Sequence, residues 1–425
     1  MTKIKWAAIQ PLTGGMFLGA EEAIGHSPEW ILTYEGLDEI KKDKEGNITS
    51  VANEAYLLNY LKKVNREVPY YKMQRSTFDP DLTDLNPKIL LNGKESTPDY
   101  SNLDIVVAVP VCSGLSMVTS AKDDTKNQRN CNMLYLANLA LKKIQPKVYI
   151  FENAPTLMGF RGDELRKQFE SLANSTGYSV VYYKTDTWNH YNCQKRPRTF
   201  VMFVKQIDGE KKIPVLGFEN NRMTIKEFFD SIPEGLENQD ECKANPHNYL
   251  VMDFFKYKYG DAWIENTDGC LMKNVIQRNL MDELIEFMET YDKMDDEWKK
   301  KTRHYFEHIR KKTSMGLNWY GSDVVYYKEH FPAIQFRSIT TTIHPSGERI
   351  CNIREYLELM GMPHDFEWFG NDGNWPKIGQ NVPVKTARFI TQQAVNIINN
   401  WSNEYREDGS VVFYDNITNN IKKIA

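Results

Sequence analysis

The chain has 425 residues, 41% of them hydrophobic and 26% charged, with a net charge of −4. That is enough apolar material for a buried core, and for two domains rather than one. No apolar run approaches the ~18–20 residues of a membrane span, and the start, Met1-Thr2-Lys3-Ile4-Lys5-Trp6, lacks the apolar stretch and cleavage site of a secretory signal. Cysteines at 112, 131, 193, 242, 270 and 351 form no CxxC pair. Neither a disulfide framework nor a metal site is therefore expected, and a reducing cytoplasm fits best. The acidic balance does not advertise a nucleic-acid partner; a protein of this charge acting on one must gather its cations in one cleft.

In chain order, apolar runs alternate with amphipathic stretches over residues 1–205, which predicts an α/β domain with a doubly wound, mostly parallel sheet. Trp6–Ile9 is a short strand, followed by Gly14-Gly15 and a helix over Met16–Ile24. Trp30–Tyr34 is the next strand and ends at Glu35. Ala55–Val64 is helical, and Leu103–Val109 reads as a strand buried on both faces. A helix over Met133–Ile144 precedes strands at Val148–Phe151, Ser179–Lys184 and Phe200–Lys205. From about 206 to 333 the alternation weakens and charge runs appear. Helices are expected at Asn279–Thr290 and Glu297–Lys312, the second carrying Lys299, Lys300, Lys301, Arg303, Arg310 and Lys311. Such a helix is either a solvated face or a strip along phosphates. Residues 334–425 return to ordered sequence and finish in a helix near Thr386–Asn399.

Three segments each end a predicted strand of the first domain: Pro110-Val111-Cys112-Ser113-Gly114, Phe151-Glu152-Asn153-Ala154-Pro155, and Gln194-Lys195-Arg196-Pro197-Arg198. Ligands of open α/β sheets bind at the carboxyl ends of strands. Singly, each has a plain structural explanation: a buried thiol, a helix cap, surface charge. Together they bring a thiol, a carboxyl and two guanidiniums to one rim. Carbon 5 of cytosine is a poor nucleophile. A thiolate adding at C6, an acid protonating N3 and a guanidinium at O2 would make C5 able to attack an electrophilic methyl group. The base must leave the duplex stack for this to happen.

These segments resemble the cytosine-5 DNA methyltransferase family, and the matching motifs run in order across most of the chain. Pro110–Ser116 (PVCSGLS) resembles the family's Pro-Pro-Cys-Gln loop, which implies Cys112 as nucleophile, Pro110 beside the cofactor and Ser116 facing DNA. Phe151–Asn153 resembles Glu-Asn-Val and implies Glu152 at N3. Tyr191–Arg198 resembles Gln-x-Arg-x-Arg and implies Arg198 at O2. Arg196 would position the Cys112 loop or a phosphate, and Gln194 would contact DNA. Arg349–Glu355 with Met360-Gly361-Met362-Pro363 resembles the block that organises target recognition, so Arg349 and Arg354 are DNA contacts. Lys377–Pro383 resembles the terminal Ile-Gly-Asn-x-Val-Pro motif, placing Gln380 or Asn381 at the cofactor.

The cofactor end departs most from the pattern. Pro11–Gly19 resembles the family's Phe-x-Gly-x-Gly-Gly loop, and Gly14, Gly15 and Met16 would line an S-adenosylmethionine site, with Glu35 on the ribose. The family's phenylalanine falls at Gln10, its first glycine at Leu12, and the acidic residue before the loop at Ala8. Its Gly-Asp-Ile segment falls at Asn92-Gly93.

The resemblance thus implies a methyltransferase-type domain of residues 1–205 completed by 376–425, a smaller target-recognition domain over 206–375, and a DNA cleft between them. It implies S-adenosylmethionine or a derivative as cofactor and double-stranded DNA as partner in a monomeric, cytoplasmic, bacterial or phage enzyme. A cognate restriction endonuclease is not identifiable from the sequence. Three alternatives stay open: a tRNA cytosine as substrate, transfer of a bulkier group, and a silent DNA-binding paralogue.

Overall fold

The computed structural model describes residues 3–111, 115, 128–206, 213–240, 246–267, 269–316, 326, 329–334, 339, 341–399, 405–406 and 412–423. Two compact units emerge, Met1–Met223 with Leu359–Ala425, and Thr224–Glu358.

The first unit is built on an eleven-stranded sheet. Its strands are β1 (Trp6–Ile9), β2 (Ile31–Tyr34), β3 (Tyr70–Met73), β4 (Ile89–Leu91), β5 (Lys94–Glu95), β6 (Ile105–Ala108), β7 (Val148–Asn153), β8 (Tyr178–Asp186), β9 (Pro197–Lys205), β10 (Val412–Asp415) and β11 (Asn420–Lys423). The spatial order is β11-β10-β8-β9-β7-β6-β1-β2-β3-β4-β5. Strands β3, β2, β1, β6 and β7 run parallel, whereas β9 lies antiparallel between β7 and β8. Every residue of β1, β2, β6 and β7 is buried, as strands covered on both faces require. The helices expected from periodicity form at α1 (Gly15–Ile24), α2 (Asn53–Lys63) and α3 (Gln128–Asn138), the last running on as a π-helical turn, Leu139–Ile144.

The chain does not finish in the helix Val384–Asn399; β10 pairs parallel with β8 and β11 folds back on it. The helix Val384–Asn399 packs closely on α1. Gly15 is where the backbones meet: a Cβ there would lie 1.8 Å from the Val382 carbonyl oxygen. Upstream, Trp368 stacks on Tyr56 of α2 at 3.7 Å, and the Tyr56 hydroxyl donates to the Phe369 carbonyl. Residues 359–399 are thereby anchored on α1 and α2.

The second unit is mainly helical, with helices at Ile225–Asp230, Pro246–Tyr259, Leu271–Gln277, Met281–Thr290 and Asp296–Ser314. Its own core gathers Leu250, Phe255, Leu271, Leu284, Phe306 and Ile309. Helix Asp296–Ser314 buries Thr302, Phe306 and Ile309 on one stripe, which is the amphipathic spacing its sequence predicts.

Candidate active site

Glu152 is the penultimate residue of β7. The register pairs Phe200 with Glu152 and Thr199 with Asn153, so the opening of β9 lies at the carboxyl end of β7. Arg198 Nε donates to Glu152 Oε1 at 2.7 Å. The arginine segment therefore does not end a strand, as expected, but opens an antiparallel one. Apolar alternation carries no strand direction, and the reversal still delivers Arg198 to the same rim. Glu152 is buried, and burial pushes its carboxyl above the ordinary 4.5 while Arg198 and Arg196 pull it back. A carboxyl shifted upward by burial, beside a fixed positive charge, is better suited to give up a proton to a substrate than an ordinary carboxylate.

Arg196 is buried and donates through Nη2 to the carbonyls of Gly379 and Asn381, both at 2.9 Å. Its own N–H donates to Asp186 Oδ1 at 2.8 Å. Asn381 in turn accepts from the Gly15 N–H at 2.8 Å and donates to Met362 Sδ. One chain of contacts thus links the arginine segment, the terminal motif and the glycine loop. Of the two terminal-motif candidates, Asn381 meets the loop; Gln380 is exposed and accepts from Asn53. Gln194, expected to contact DNA, is a correction: its side chain is 0% exposed, and neither amide atom has a hydrogen-bond partner among the described residues.

On the neighbouring half of the rim, the loop after β1 holds Gln10 at φ 48°, Leu12 at φ 51° and Gly14 at φ 106°. The left-handed region costs a residue with a side chain about 1–3 kcal/mol, so two non-glycine residues there must be held by their surroundings. Gln10 Oε1 and Thr13 Oγ1 are buried without a hydrogen-bond partner among the described residues. Met16 is buried in α1, Pro110 is buried after β6, and Glu35 is exposed just beyond β2.

Two residues that the motifs did not single out brace this rim. Asn132 accepts from the Val111 N–H at 2.7 Å and donates to the Tyr34 hydroxyl at 2.8 Å, joining the ends of β6 and β2. Glu54, in the first turn of α2, accepts from the Thr33 and Tyr70 hydroxyls, both at 2.7 Å. Burial pushes its carboxyl up to about 8. Each lies one residue before the helix expected from periodicity, and the observed helices start earlier, at Asn53 and Gln128.

Asn92-Gly93 is a second correction. Leu91 pairs with Tyr71 and Ile89 with Met73, so this left-handed hairpin turn lies beyond the amino-terminal part of β3, on the opposite rim. Asn-Gly between two short apolar runs is a hairpin signal, and that is what it makes.

In the second unit, Arg349 makes a two-pronged pair with Glu355, with Nη1 to Oε2 at 3.0 Å. Arg354, also expected on DNA, is 0% exposed; Nε donates to the Glu237 carbonyl at 2.9 Å and Nη1 lies 3.6 Å from Glu358. The correction has a local cause. Asn352 and Glu355 cap each other's backbone N–H groups, which fixes the helix start at Ile353 and turns Arg354 inward. On the basic helix, Lys301 pairs with Glu297, Arg303 with Glu289 and Arg310 with Asp282. Cys112, Ser116 and the turn Asn318-Trp319-Tyr320-Gly321 lie outside the described residues.

A family model described as C-5 cytosine-specific DNA methylase matches residues 65–396. The chain belongs to that family. It is a methyltransferase with the fold of its family, an α/β unit on a large, mostly parallel sheet. Among relatives, a protein described as type II methyltransferase M.MJ0563P of Methanocaldococcus jannaschii is 21% identical over 301 residues, 68% of this chain and 77% of its own. Type II methyltransferase M.Sau96I of Staphylococcus aureus is 20% identical over 274 residues, 64% of this chain and 55% of its own. Among solved structures, the Entamoeba histolytica methyltransferase EhMeth aligns with a TM-score of 0.51 at 11% identity, covering 94% of this chain and 99% of its own. A DNA modification methyltransferase encoded within an Escherichia coli prophage aligns with a TM-score of 0.50 at 16% identity, covering 93% and 99%. Among the described residues no helix is long and apolar enough to cross a membrane, and no three His, Cys, Asp or Glu side chains form a metal-binding group.

Proposed function

We propose that the protein methylates carbon 5 of cytosine in double-stranded DNA through a covalent adduct with Cys112. The buried Glu152–Arg198 pair, 2.7 Å apart at the carboxyl rim, carries this reading. In it, the target cytosine leaves the duplex stack. Cys112 as thiolate forms a bond to C6, Glu152 gives its proton to N3, and Arg198 stabilises the charge at O2. Once C5 is methylated, loss of the C5 proton and cleavage of the sulfur–C6 bond restore the ring. Arg196 acts as a positioning residue through Gly379 and Asn381. The second unit reads the target sequence.

S-adenosylmethionine fits the other half of the rim. The unpartnered, buried Gln10 Oε1 and Thr13 Oγ1 and the exposed carboxylate of Glu35 offer polar groups to a ligand rich in hydroxyl and amino functions. Gly14, Gly15, Met16, Pro110 and Asn381 complete the holding set. When bound, this cofactor supplies an electrophilic methyl group.

The test supplies purified protein with S-adenosylmethionine and, in separate arms, duplex DNA and tRNA, followed by mass analysis of the nucleosides. The reading expects 5-methyldeoxycytidine from the DNA arm. Methylated cytosine confined to the tRNA arm, or a heavier cytosine derivative, would replace it.

A further inference from the structure

Cys112 stands in the chain between two residues, Val111 and Leu115, whose backbone groups are held by other elements. On the amino side, Pro110 has no N–H to donate, so the Val111 N–H is the last backbone donor before the cysteine. It donates to Asn132 Oδ1 at 2.7 Å, and Asn132 Nδ2 donates to the Tyr34 hydroxyl at 2.8 Å. Asn132 is buried within α3. Asparagine is a poor helix former, and a buried amide is costly unless bonded. Here both amide atoms are bonded, one of them to the backbone that enters the cysteine segment. On the carboxyl side, the Thr156 hydroxyl donates to the carbonyl of buried Leu115. Thr156 belongs to a 3-10 turn, Pro155–Met158, that opens just beyond the β7 end carrying Glu152. The turn is closed by the Leu157 N–H on the Ala154 carbonyl at 3.1 Å and the Gly159 N–H on the Thr156 carbonyl at 3.0 Å.

We infer that Asn132 and Thr156 form a two-point clamp on the nucleophile segment and are positioning residues for its thiol. The inference rests on the reading of Cys112 as the nucleophile. Only Cys112, Ser113 and Gly114 lie between the held residues, so little chain separates the two anchors. One anchor leads through Tyr34 to the end of β2, the other to the turn that continues the strand of Glu152. The thiol must meet C6 while Glu152 meets N3 of the same ring, and a misplacement of about 1 Å can cost about 10²-fold in rate. A segment tied to the turn beside the acid keeps that spacing before the base arrives. Neither Asn132 nor Thr156 reacts with the base; each acts through the backbone it holds.

The experiment follows adduct formation on a 5-fluorocytosine duplex in a single turnover, using the full chain with S-adenosylmethionine. Binding of S-adenosylhomocysteine and of unmodified duplex is measured alongside. Thr156→Val removes the hydroxyl at nearly constant shape and should form adduct at least about tenfold more slowly. Thr156→Ser keeps the hydroxyl and should stay within about threefold of the parent. Asn132→Leu removes both amide groups; it should also slow the adduct at least about tenfold, and its Val111 amide should exchange hydrogen at least about tenfold faster. Both binding affinities should stay within about threefold of the parent, because the clamp serves the chemical step. A parental adduct rate in Thr156→Val or in Asn132→Leu overturns the two-point clamp, as does a Thr156→Ser variant as slow as Thr156→Val. Loss of duplex binding as large as the loss of rate also overturns it, since a merely structural role weakens both. If Asn132→Leu does not fold, the pair at Thr156 decides. A parent that binds both ligands and forms no adduct removes the nucleophile reading itself and the inference with it; parental rates in the variants of an active parent remove the inference alone.

Discussion

At the Glu152 half of the rim, side chain meets side chain across adjacent strands, Arg198 on Glu152 at 2.7 Å. At the Gln10–Gly15 half, a backbone loop is flanked by other elements: Leu57 of α2 on one side, Asn381 and Val382 on the other. The first half keeps the family's residue types, and the second departs from them at Ala8, Gln10 and Leu12. The contrast teaches where substitution is tolerated. A proton donor and a guanidinium have no chemical substitutes at their atoms. A loop contour can be held by several different sets of contacts.

If the contrast holds, variants at the first half lose rate and variants at the second lose stability or affinity. Glu152→Gln should lower kcat by about 10²–10⁴-fold with little change in DNA binding, since it removes an acid and keeps the shape. The parent's rate should also fall as pH rises through the raised Glu152 pKa, because the neutral acid is the active form; that limb should vanish in the variant. A Glu152→Gln variant with parental rate would remove Glu152 from the chemistry. Gly15→Ala must displace the Val382 carbonyl, since its Cβ would lie 1.8 Å away. It should lower stability by about 2 kcal/mol or more in urea denaturation, and an unchanged midpoint would mean the terminal helix is not seated on α1. Glu35→Ala should weaken S-adenosylhomocysteine binding by about tenfold or more, the low end of what one hydrogen bond to a charged acceptor contributes, while DNA binding by gel shift stays as it was.

A further comparison is of stability against pH. The Glu54 carboxyl titrates at about 8 in the fold, against an ordinary 4.5. A group whose folded pKa is raised contributes fully below its unfolded value, and that contribution is lost as pH rises through the folded one. Between about pH 5 and about pH 9 the parent's melting temperature should therefore fall more than that of Glu54→Gln. Parallel curves would show that Glu54 keeps an ordinary pKa.

Legibility followed the same division. Trp6–Ile9 and Leu103–Val109 could be read because strands buried on both faces spell continuous apolar runs, and α1 and α2 because one face is apolar at helical spacing. Cys112, Glu152 and Arg198 stood out as reactive types placed near predicted strand ends. What stayed hidden depends on partners distant in sequence. Nothing in the arginine motif says that β9 runs antiparallel, and nothing in Arg354 says that the Glu237 carbonyl and Glu358 draw it inward. Leu12 is no turn former, so nothing in its residue type announces its left-handed backbone. Strands β10 and β11, at Val412–Asp415 and Asn420–Lys423, were not read from the sequence.

The most direct measurement uses a long duplex in which every cytosine is 5-fluorocytosine, incubated with S-adenosylmethionine and either the parent or Cys112→Ser, then denatured. Fluorine at C5 cannot leave as a proton does, so an attacking thiolate stays bonded to C6. The account predicts a denaturation-resistant protein–DNA complex with the parent and none with Cys112→Ser. No complex with a parent that binds S-adenosylhomocysteine, or equal complex from both proteins, would contradict it.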